Sequence, residues 1–317
     1  MPNQSMNGSN EPYAVVIGGA NMDICGISHR PLVERDSNPG SVTLSAGGVG
    51  LNIASNLSLL GLKTYFIAAI GNDAHGERLA EICKKLDIDT SYCVFSDETH
   101  TSVYLFIADS DGDMRLAVSD MEICALITPR RLEIAASLIK GARVCVADAN
   151  ISAESMLWLA ENCGTKLFVD PVSTKKAMRI ERALGHIDVL RPNRIEAEAL
   201  MKKRLPTALD EAKALVKSGV KSAFVADGRN GVAFADSVES FCVEAVPAEI
   251  KSLTGAGDCL TAALAYAYSC GFSAKKAARF ACAASSFAIE SMDAVNKSLR
   301  SGLVHERAAR FYGDYEA

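Results

Sequence analysis

Apolar positions along the chain fall into short continuous runs that are separated by stretches with helical spacing. The run at 13–17 is continuously apolar and ends in two glycines, which predicts a buried parallel strand with a binding site at its carboxyl end. Beyond Thr128 and Pro129, which form a typical helix start, strand-like and helical segments alternate. This alternation predicts a mostly parallel sheet with right-handed crossovers and helices on both faces. The other predicted strands are 64–70, 143–147, 166–170, 187–190 and 222–226.

Two further segments consist of short extended pieces joined by turn residues. The first contains the turn sequence Ser-Asn-Pro-Gly at 37–40 and predicts a hairpin that projects from the main sheet. The second joins 101–108 to 114–119 through an acidic turn, which lacks the ligand spacing of a calcium loop and is therefore interpreted as a solvated turn. We expect the two hairpins to form a small β layer, a lid that excludes water from a site, with strands at about 24–46 and 99–121.

Composition restricts the class of protein. The 317 residues carry a net charge of −5 without basic runs, which argues against nucleic acid as the main partner. No apolar run is long enough to span a bilayer and the polar start has no signal-peptide pattern, so we expect a cytoplasmic protein. The ten cysteines occur singly and are interpreted as reduced packing residues. We expect a disordered lead-in over 1–12 and a single domain over 13–317.

The segment Gly255-Ala256-Gly257-Asp258 precedes a run of small, helix-compatible residues. The free N–H groups of a helix start bind anions well, and an adjacent carboxylate would repel an anion. A carboxylate beside this anion site is explained if Asp258 accepts the proton of a hydroxyl group that attacks a phosphoryl group.

A second glycine-rich helix start lies at 47–50. A dinucleotide site would need a third glycine and a preceding buried strand, and the chain contains no Walker phosphate loop, so neither reading is favoured.

Polar side chains follow several predicted strands. The carboxyl ends of parallel strands meet at one edge of a sheet, so these residues predict one crevice, although turns closed by the same side chains are an alternative. The residues are Asn21 and Asp23, Asp148 and Asn150, Asp170, and then Arg191, Asn193 and Glu196.

In this order and spacing, the motifs Asn21-x-Asp23, Gly47-Gly48-x-Gly50-x-Asn52 and Thr254-Gly255-Ala256-Gly257-Asp258 resemble those of the ribokinase-like (phosphofructokinase-B) sugar and nucleoside kinases. The resemblance covers nearly the whole chain. It implies a three-layer α/β/α sandwich with a mostly parallel central sheet and a β lid. Within the family, the segments at 37–40, 119–121, 146–152, 168–173 and 192–198 are most similar to those of pseudouridine kinases, which implies transfer of phosphate from ATP to the 5′-hydroxyl of pseudouridine.

The resemblance also implies roles for individual residues. Asp258 would be the general base, and the amides of Gly255, Ala256 and Gly257 would bind the γ-phosphoryl group. The substrate would be held by Asn21, Asp23, Gly47, Gly48 and Asn52, with Asp120 and Asn150 toward the base. The nucleotide would be held by Asn193, Glu196, Gly228 and Thr254, and Glu196 would reach Mg²⁺ through water.

ATP and Mg²⁺ are the implied cofactors. K⁺ stays open, because Ser252 stands where many relatives carry an acidic residue that helps to hold a monovalent cation. Pairing of two chains through the lid, to give a homodimer, is implied by analogy. The alternatives are a kinase for another nucleoside or sugar, such as uridine, adenosine, ribose or fructose, and a non-catalytic ligand sensor on the same scaffold.

Overall fold

The computed structural model of the protein describes residues 11–313 and 315. The predicted disordered lead-in, residues 1–12, lies outside the described residues apart from Glu11 and Pro12. Within the described range, no helix is long and apolar enough to cross a membrane.

A nine-stranded sheet forms the centre of the molecule. Seven of its strands are mutually parallel where they pair, and the last two in the chain extend it as antiparallel strands. The predicted parallel sheet with helices on both faces is confirmed. The strands of this sheet, in chain order, are β1 (Tyr13–Ile17), β4 (Lys63–Ile67), β6 (Ile88–Asp89), β10 (Val144–Asp148), β11 (Lys166–Asp170), β12 (Val189–Leu190), β13 (Ser222–Ala226), β14 (Val232–Asp236) and β15 (Ser240–Val243).

Alternate residues of the central strands pack into two separate hydrophobic cores, because successive side chains of a strand point to opposite faces. Ala14 and Val16 belong to one core, whereas Val15 and Ile17 belong to the other. The helices that cover the faces are α1 (Val49–Leu59), α2 (Ala74–Lys85), α3 (Pro129–Ile134), α4 (Ala136–Gly141), α5 (Ala153–Asn162), α6 (Thr174–Ala177), α7 (Arg194–Met201), α8 (Ala208–Lys217), α9 (Ala256–Ser269), α10 (Ala274–Ile289) and α11 (Ser301–Tyr312).

The predicted single strand 64–70 is wrong in one respect, because the chain leaves the main sheet after β4. After Ala68, the chain forms β5 (Ala69–Gly71), which pairs in parallel with β7 (Val94–Ser96) as a separate ribbon. Continuous apolar character hid this break, since both pieces are buried.

A four-stranded sheet, called the small sheet below, is built from the two predicted hairpins. β2 (Asn21–Ser28) pairs with β3 (Gly40–Gly47), and β8 (Ser102–Ala108) pairs with β9 (Met114–Asp120), both antiparallel. β2 and β8 join the hairpins side by side as parallel strands. Both hairpin predictions are confirmed.

Candidate active site

The start of α9 is shaped by a glycine in a conformation that other residues rarely adopt. Gly255 is the N-cap, with φ of 79°, and a Cβ at this position would collide with the carbonyl oxygen of Ala294. Asp258 is the third residue of the helix and is buried. The first N–H groups of a helix have no partner within it, so this turn presents donors beside a buried carboxylate.

Asn52 connects this turn to the second glycine-rich helix start. Its Nδ2 donates a 2.7 Å hydrogen bond to Asp258 Oδ2. Asn52 lies in the first turn of α1, whose N-cap Gly48 has φ of 99°. A Cβ on Gly48 would lie 2.6 Å from the carbonyl oxygen of Gly19, so the absence of a side chain allows α1 to start against the end of β1.

Asn21 and Asp23 lie at the beginning of β2, on the same face of the small sheet. Asn21 Nδ2 donates a 2.6 Å hydrogen bond to Asp23 Oδ1, and a Cβ on Gly47 would collide with the Asp23 carboxylate. Burial raises the pKa of Asp23, while the hydrogen bond from Asn21 opposes the shift. The structure thus brings together the predicted substrate-binding residues Asn21, Asp23, Gly47, Gly48 and Asn52 around the start of α1.

A buried ion pair lies beneath the α9 turn. The Arg191 guanidinium pairs through Nη2 with Asp170 Oδ2, and its Nε donates a 2.7 Å hydrogen bond to Thr261 Oγ1. The Thr261 hydroxyl in turn donates to Asp170 Oδ2 at 2.8 Å. Sequence reasoning placed Asp170 and Arg191 at strand ends but gave them no role, and Thr261 has no signal in the sequence, because the triangle is visible only when α9 lies over β11.

The electrostatic surroundings make Asp258 a carboxylate that holds its proton more tightly than usual. Burial and the negative charge of Asp170 raise the pKa of Asp258 to about 7, against the effects of Asn52 and Arg191. Such a value lies close to neutral pH, which suits a general base. Burial also raises the pKa of Asp148 to about 6.

Asp148 and Asn150 line the adjacent strand end. Asp148 accepts hydrogen bonds from the N–H groups of Gly19, at 2.9 Å, and of Asn150, at 2.8 Å. The Asn150 side-chain oxygen accepts a 2.5 Å hydrogen bond from Lys176 Nζ, and Arg179 donates to the Asn150 carbonyl oxygen at 2.7 Å. These two cations were missed by sequence reasoning, because they follow a strand end by several residues inside a helical segment.

Asn193 and Glu196 form a reciprocal cap at the start of α7, with both hydrogen bonds at 2.9 Å. Burial raises the pKa of Glu196, with Arg191 opposing the shift. Within the described residues, no group of three or more His, Cys, Asp or Glu side chains could hold a metal. One or two carboxylates with substrate phosphates are a usual environment for Mg²⁺, so Glu196 fits this ion when a nucleotide supplies the other ligands.

The remaining predicted site residues are Gly228, Thr254 and Asp120. Gly228 begins a 3₁₀ turn between β13 and β14 with φ of 54°, and Thr254 is an exposed residue just before the α9 turn. Asp120 pairs with Val103 at the end of β9, in the same row as Met22. Its exposed side chain therefore leaves the opposite face of the small sheet from Asp23, and the register does not group it with the predicted substrate-binding residues.

Comparisons with known proteins agree with this geometry. The family described as pfkB family carbohydrate kinase matches residues 11–300. A pseudouridine kinase of Escherichia coli is 37% identical over 282 residues, covering 87% of this chain and 90% of that protein. An uncharacterized sugar kinase of Escherichia coli, YeiI, is 36% identical, covering 89% and 80%. The structure of Arabidopsis thaliana ribokinase complexed with ribose and ATP superposes with a TM-score of 0.85 at 25% identity, covering 94% and 99%.

Proposed function

This chain belongs to the pfkB family of carbohydrate kinases, and from that premise we propose that it transfers the γ-phosphoryl group of ATP to the 5′-hydroxyl of pseudouridine. At the coarser level it is a sugar or nucleoside kinase, a phosphotransferase with a hydroxyl acceptor. The 37% identity to a protein named pseudouridine kinase supports the narrower substrate. The observation that carries the mechanism is the buried Asp258 carboxylate, oriented by Asn52 at the amide-rich start of α9.

Asp258 acts as the general base. Its carboxylate accepts the proton of the acceptor hydroxyl as that oxygen bonds to the γ-phosphorus, and the bond from this phosphorus to the bridging oxygen of ADP breaks. The amides of Gly255, Ala256 and Gly257 face the charge that develops on the phosphoryl oxygens. When Mg²⁺ is bound, near Glu196 and the phosphates, it neutralises phosphate charge. Asn193, Gly228 and Thr254 contribute to holding the nucleotide.

The small sheet supports a nucleoside over a free sugar. Tyr104 pairs in register with Asp23, and Phe106 pairs with Cys25, so both rings lie on the face that carries the Asp23 carboxylate. Both are half-buried, with ring centroids 5.9 Å apart. Aromatic rings stack on nucleobases, typically with about 1–3 kcal/mol per base in nucleic-acid complexes. Asp23 then holds the ribose, while Tyr104 and Asn150 border the space for the base.

The second candidate is a sugar acceptor, favoured by the 36% identity to a protein named as a sugar kinase. A panel of pseudouridine, uridine, adenosine, ribose and fructose, with ADP detection at saturating MgATP, separates the candidates. Preference for a sugar over every nucleoside would reject the nucleoside proposal, and binding without any ADP formation would identify a sensor. The role of the 5′-hydroxyl as the phosphoryl acceptor is tested with 5′-deoxypseudouridine, which we expect to bind without turnover.

Repeating the panel in potassium and in choline buffers tests whether turnover requires K⁺. Ser252 Oγ accepts a 3.1 Å hydrogen bond from the Thr254 N–H and brings no negative charge to this segment. We propose that K⁺ is not required. A large loss of turnover in choline would contradict this.

We also propose that the small sheet serves as the lid and pairs two chains as a homodimer. The face opposite to Asp23 is apolar and exposed at its outer strands, with Val42 and Leu44 on β3 and Leu116 and Val118 on β9 all more than half exposed. An apolar face of this kind is a common basis for association of two copies.

A further inference from the structure

The guanidinium of Arg191 is fixed on Asp170 from two directions. It pairs with the carboxylate directly, and it also donates to Thr261, whose hydroxyl donates to the same carboxylate oxygen. Arg191 and Asp170 are both buried, at 6% and 1% exposure. The cation therefore has little freedom to turn toward other partners.

The same guanidinium lies against the turn that carries Asp258. Arg191 Nη1 is 3.0 Å from the position that a Cβ on Gly257 would occupy. Thr261 follows Asp258 by three residues on α9, so both side chains lie on neighbouring parts of one helix face. An Arg191 side chain released from Asp170 would have two remaining carboxylates that act on it, Glu196 and Asp258.

We propose that Asp170 is a positioning residue for phosphoryl transfer: by holding the guanidinium of Arg191, it prevents an ion pair between Arg191 and Asp258 and leaves the Asp258 carboxylate free to accept a proton. A carboxylate in an ion pair with arginine is a weak base, because the cation stabilises its charged form. The inference rests on the proposed role of Asp258 as the general base.

The charges around Asp258 change its pKa in the directions that this inference requires. Asp148 at the end of β10 and Asp170 at the end of β11 raise its pKa, whereas Arg191 and the Asn52 hydrogen bond lower it. Glu196 on α7 interacts electrostatically with Arg191. Loss of the Asp170 charge thus removes its repulsion of the Asp258 carboxylate and frees Arg191 to attract that carboxylate. Both changes lower the pKa of Asp258.

The test is the acid limb of the kcat/KM profile for Asp170→Asn, measured with whichever acceptor the wild-type enzyme prefers. An opposite charge nearby shifts a carboxyl pKa by about 1–3 units, so we expect the limb to move to lower pH by about one unit or more. We also expect kcat on the plateau to fall several-fold, since a weaker base accepts the proton less readily. Thr261→Val removes one of the two restraints on Arg191 and should shift the limb in the same direction by less.

Ser285→Ala is the matched control, because Ser285 donates a 2.9 Å hydrogen bond to the Ala256 carbonyl oxygen in the same α9 turn without touching the ion pair. Its acid limb should stay in place. The double variant Asp170→Asn/Arg191→Met removes both charges, and its limb should lie between those of Asp170→Asn and the wild type. Circular dichroism and thermal melting identify folded variants.

An unchanged acid limb in folded Asp170→Asn would overturn the inference. If that variant does not fold, unchanged limbs in Thr261→Val and in the double variant would do so. Failure of the proposed base is recognised separately, because the acid limb would then persist in the residual activity of Asp258→Asn.

Discussion

Asn52 donates a 2.7 Å hydrogen bond to the carboxylate of Asp258, although 206 positions separate the two residues in the chain. The contact joins the first turns of α1 and α9, the two helices that start at glycine-rich segments. It fixes one carboxylate oxygen, and in the proposed mechanism the other accepts the proton of the acceptor hydroxyl. The two sequence motifs are therefore parts of one site.

Replacing Asp258 by Asn keeps a similar shape and removes the proposed general base. We expect kcat to fall by about 10²–10⁴-fold with little change in nucleotide binding. Steady-state kinetics and calorimetry with ADP measure both effects. Turnover within threefold of the wild type would exclude Asp258 as the base.

The same substitution should raise stability at alkaline pH. The pKa of Asp258 is raised to about 7, so between its ordinary value and 7 the folded state binds a proton that the unfolded state does not. The contribution of Asp258 to stability therefore falls as pH rises through this window. Above pH 7, Asp258→Asn should melt at a higher temperature than the wild type, with the difference shrinking toward pH 4. A lower melting temperature at pH 8 would contradict the raised pKa.

The raised pKa of Asp258 also predicts the pH dependence of the wild-type enzyme. Only the ionised carboxylate accepts a proton, so kcat/KM should fall about tenfold per pH unit below about 7. An acid limb near pH 4 would mean that Asp258 has the pKa of an ordinary exposed carboxylate in the free enzyme, and it would contradict this prediction. Nucleotide affinity measured at each pH separates this limb from weaker ATP binding.

Gly255→Ala and Gly257→Ala form a matched pair in the α9 turn. Gly255 has φ of 79° and a Cβ there would collide with Ala294, whereas a Cβ on Gly257 would only approach the Arg191 side chain, at 3.0 Å. We expect Gly255→Ala to destabilise the fold by about 1–3 kcal/mol or more and to abolish turnover. Gly257→Ala should cost less stability. Chemical denaturation measures the difference, and equal losses would contradict this account of the turn.

Tyr104→Leu tests the aromatic face of the small sheet. We expect KM for the preferred nucleoside to rise about tenfold, as one stacking contact is lost, while kinetics with ribose change little. Leu105→Ala, on the opposite face, serves as the control and should leave both KM values in place. A parallel rise for ribose and nucleoside would indicate a general defect of the lid.

Leu116→Asp tests the homodimer, because it introduces a charge into the apolar face of the small sheet. We expect it to give a monomer in sedimentation experiments, since an unpaired charge in an apolar interface is costly. Val238→Asp, at a 90% exposed position in the loop after β14, is the control and should remain dimeric. A wild-type protein that is monomeric at micromolar concentration would reject the dimer itself.

Much of the fold followed from periodicity. β11 and β13 match their predicted bounds, since each is a buried run between clear turn signals. The glycine motifs also indicated the α9 turn. The link between Asn52 and Asp258 and the triangle of Asp170, Arg191 and Thr261 were not predictable from local patterns, because each depends on how distant elements pack.

The face of the small sheet on which Asp120 lies was not predictable from the sequence, for a related reason. Its motif resembles that of relatives, but the direction of its side chain depends on the pairing of β9 with β8. The break between β4 and β5 was hidden by uniform apolar character.

The alternation of side chains along β8 separates the residues that would determine assembly from those that would determine acceptor preference. Odd-numbered positions such as Leu105 and Ile107 face the proposed partner chain, and even-numbered positions such as Tyr104 and Phe106 face the proposed substrate. Point substitutions can therefore alter acceptor preference and assembly independently. A single-residue insertion early in β8 would exchange the two sets and place aromatic rings in the dimer contact and aliphatic side chains over the nucleoside.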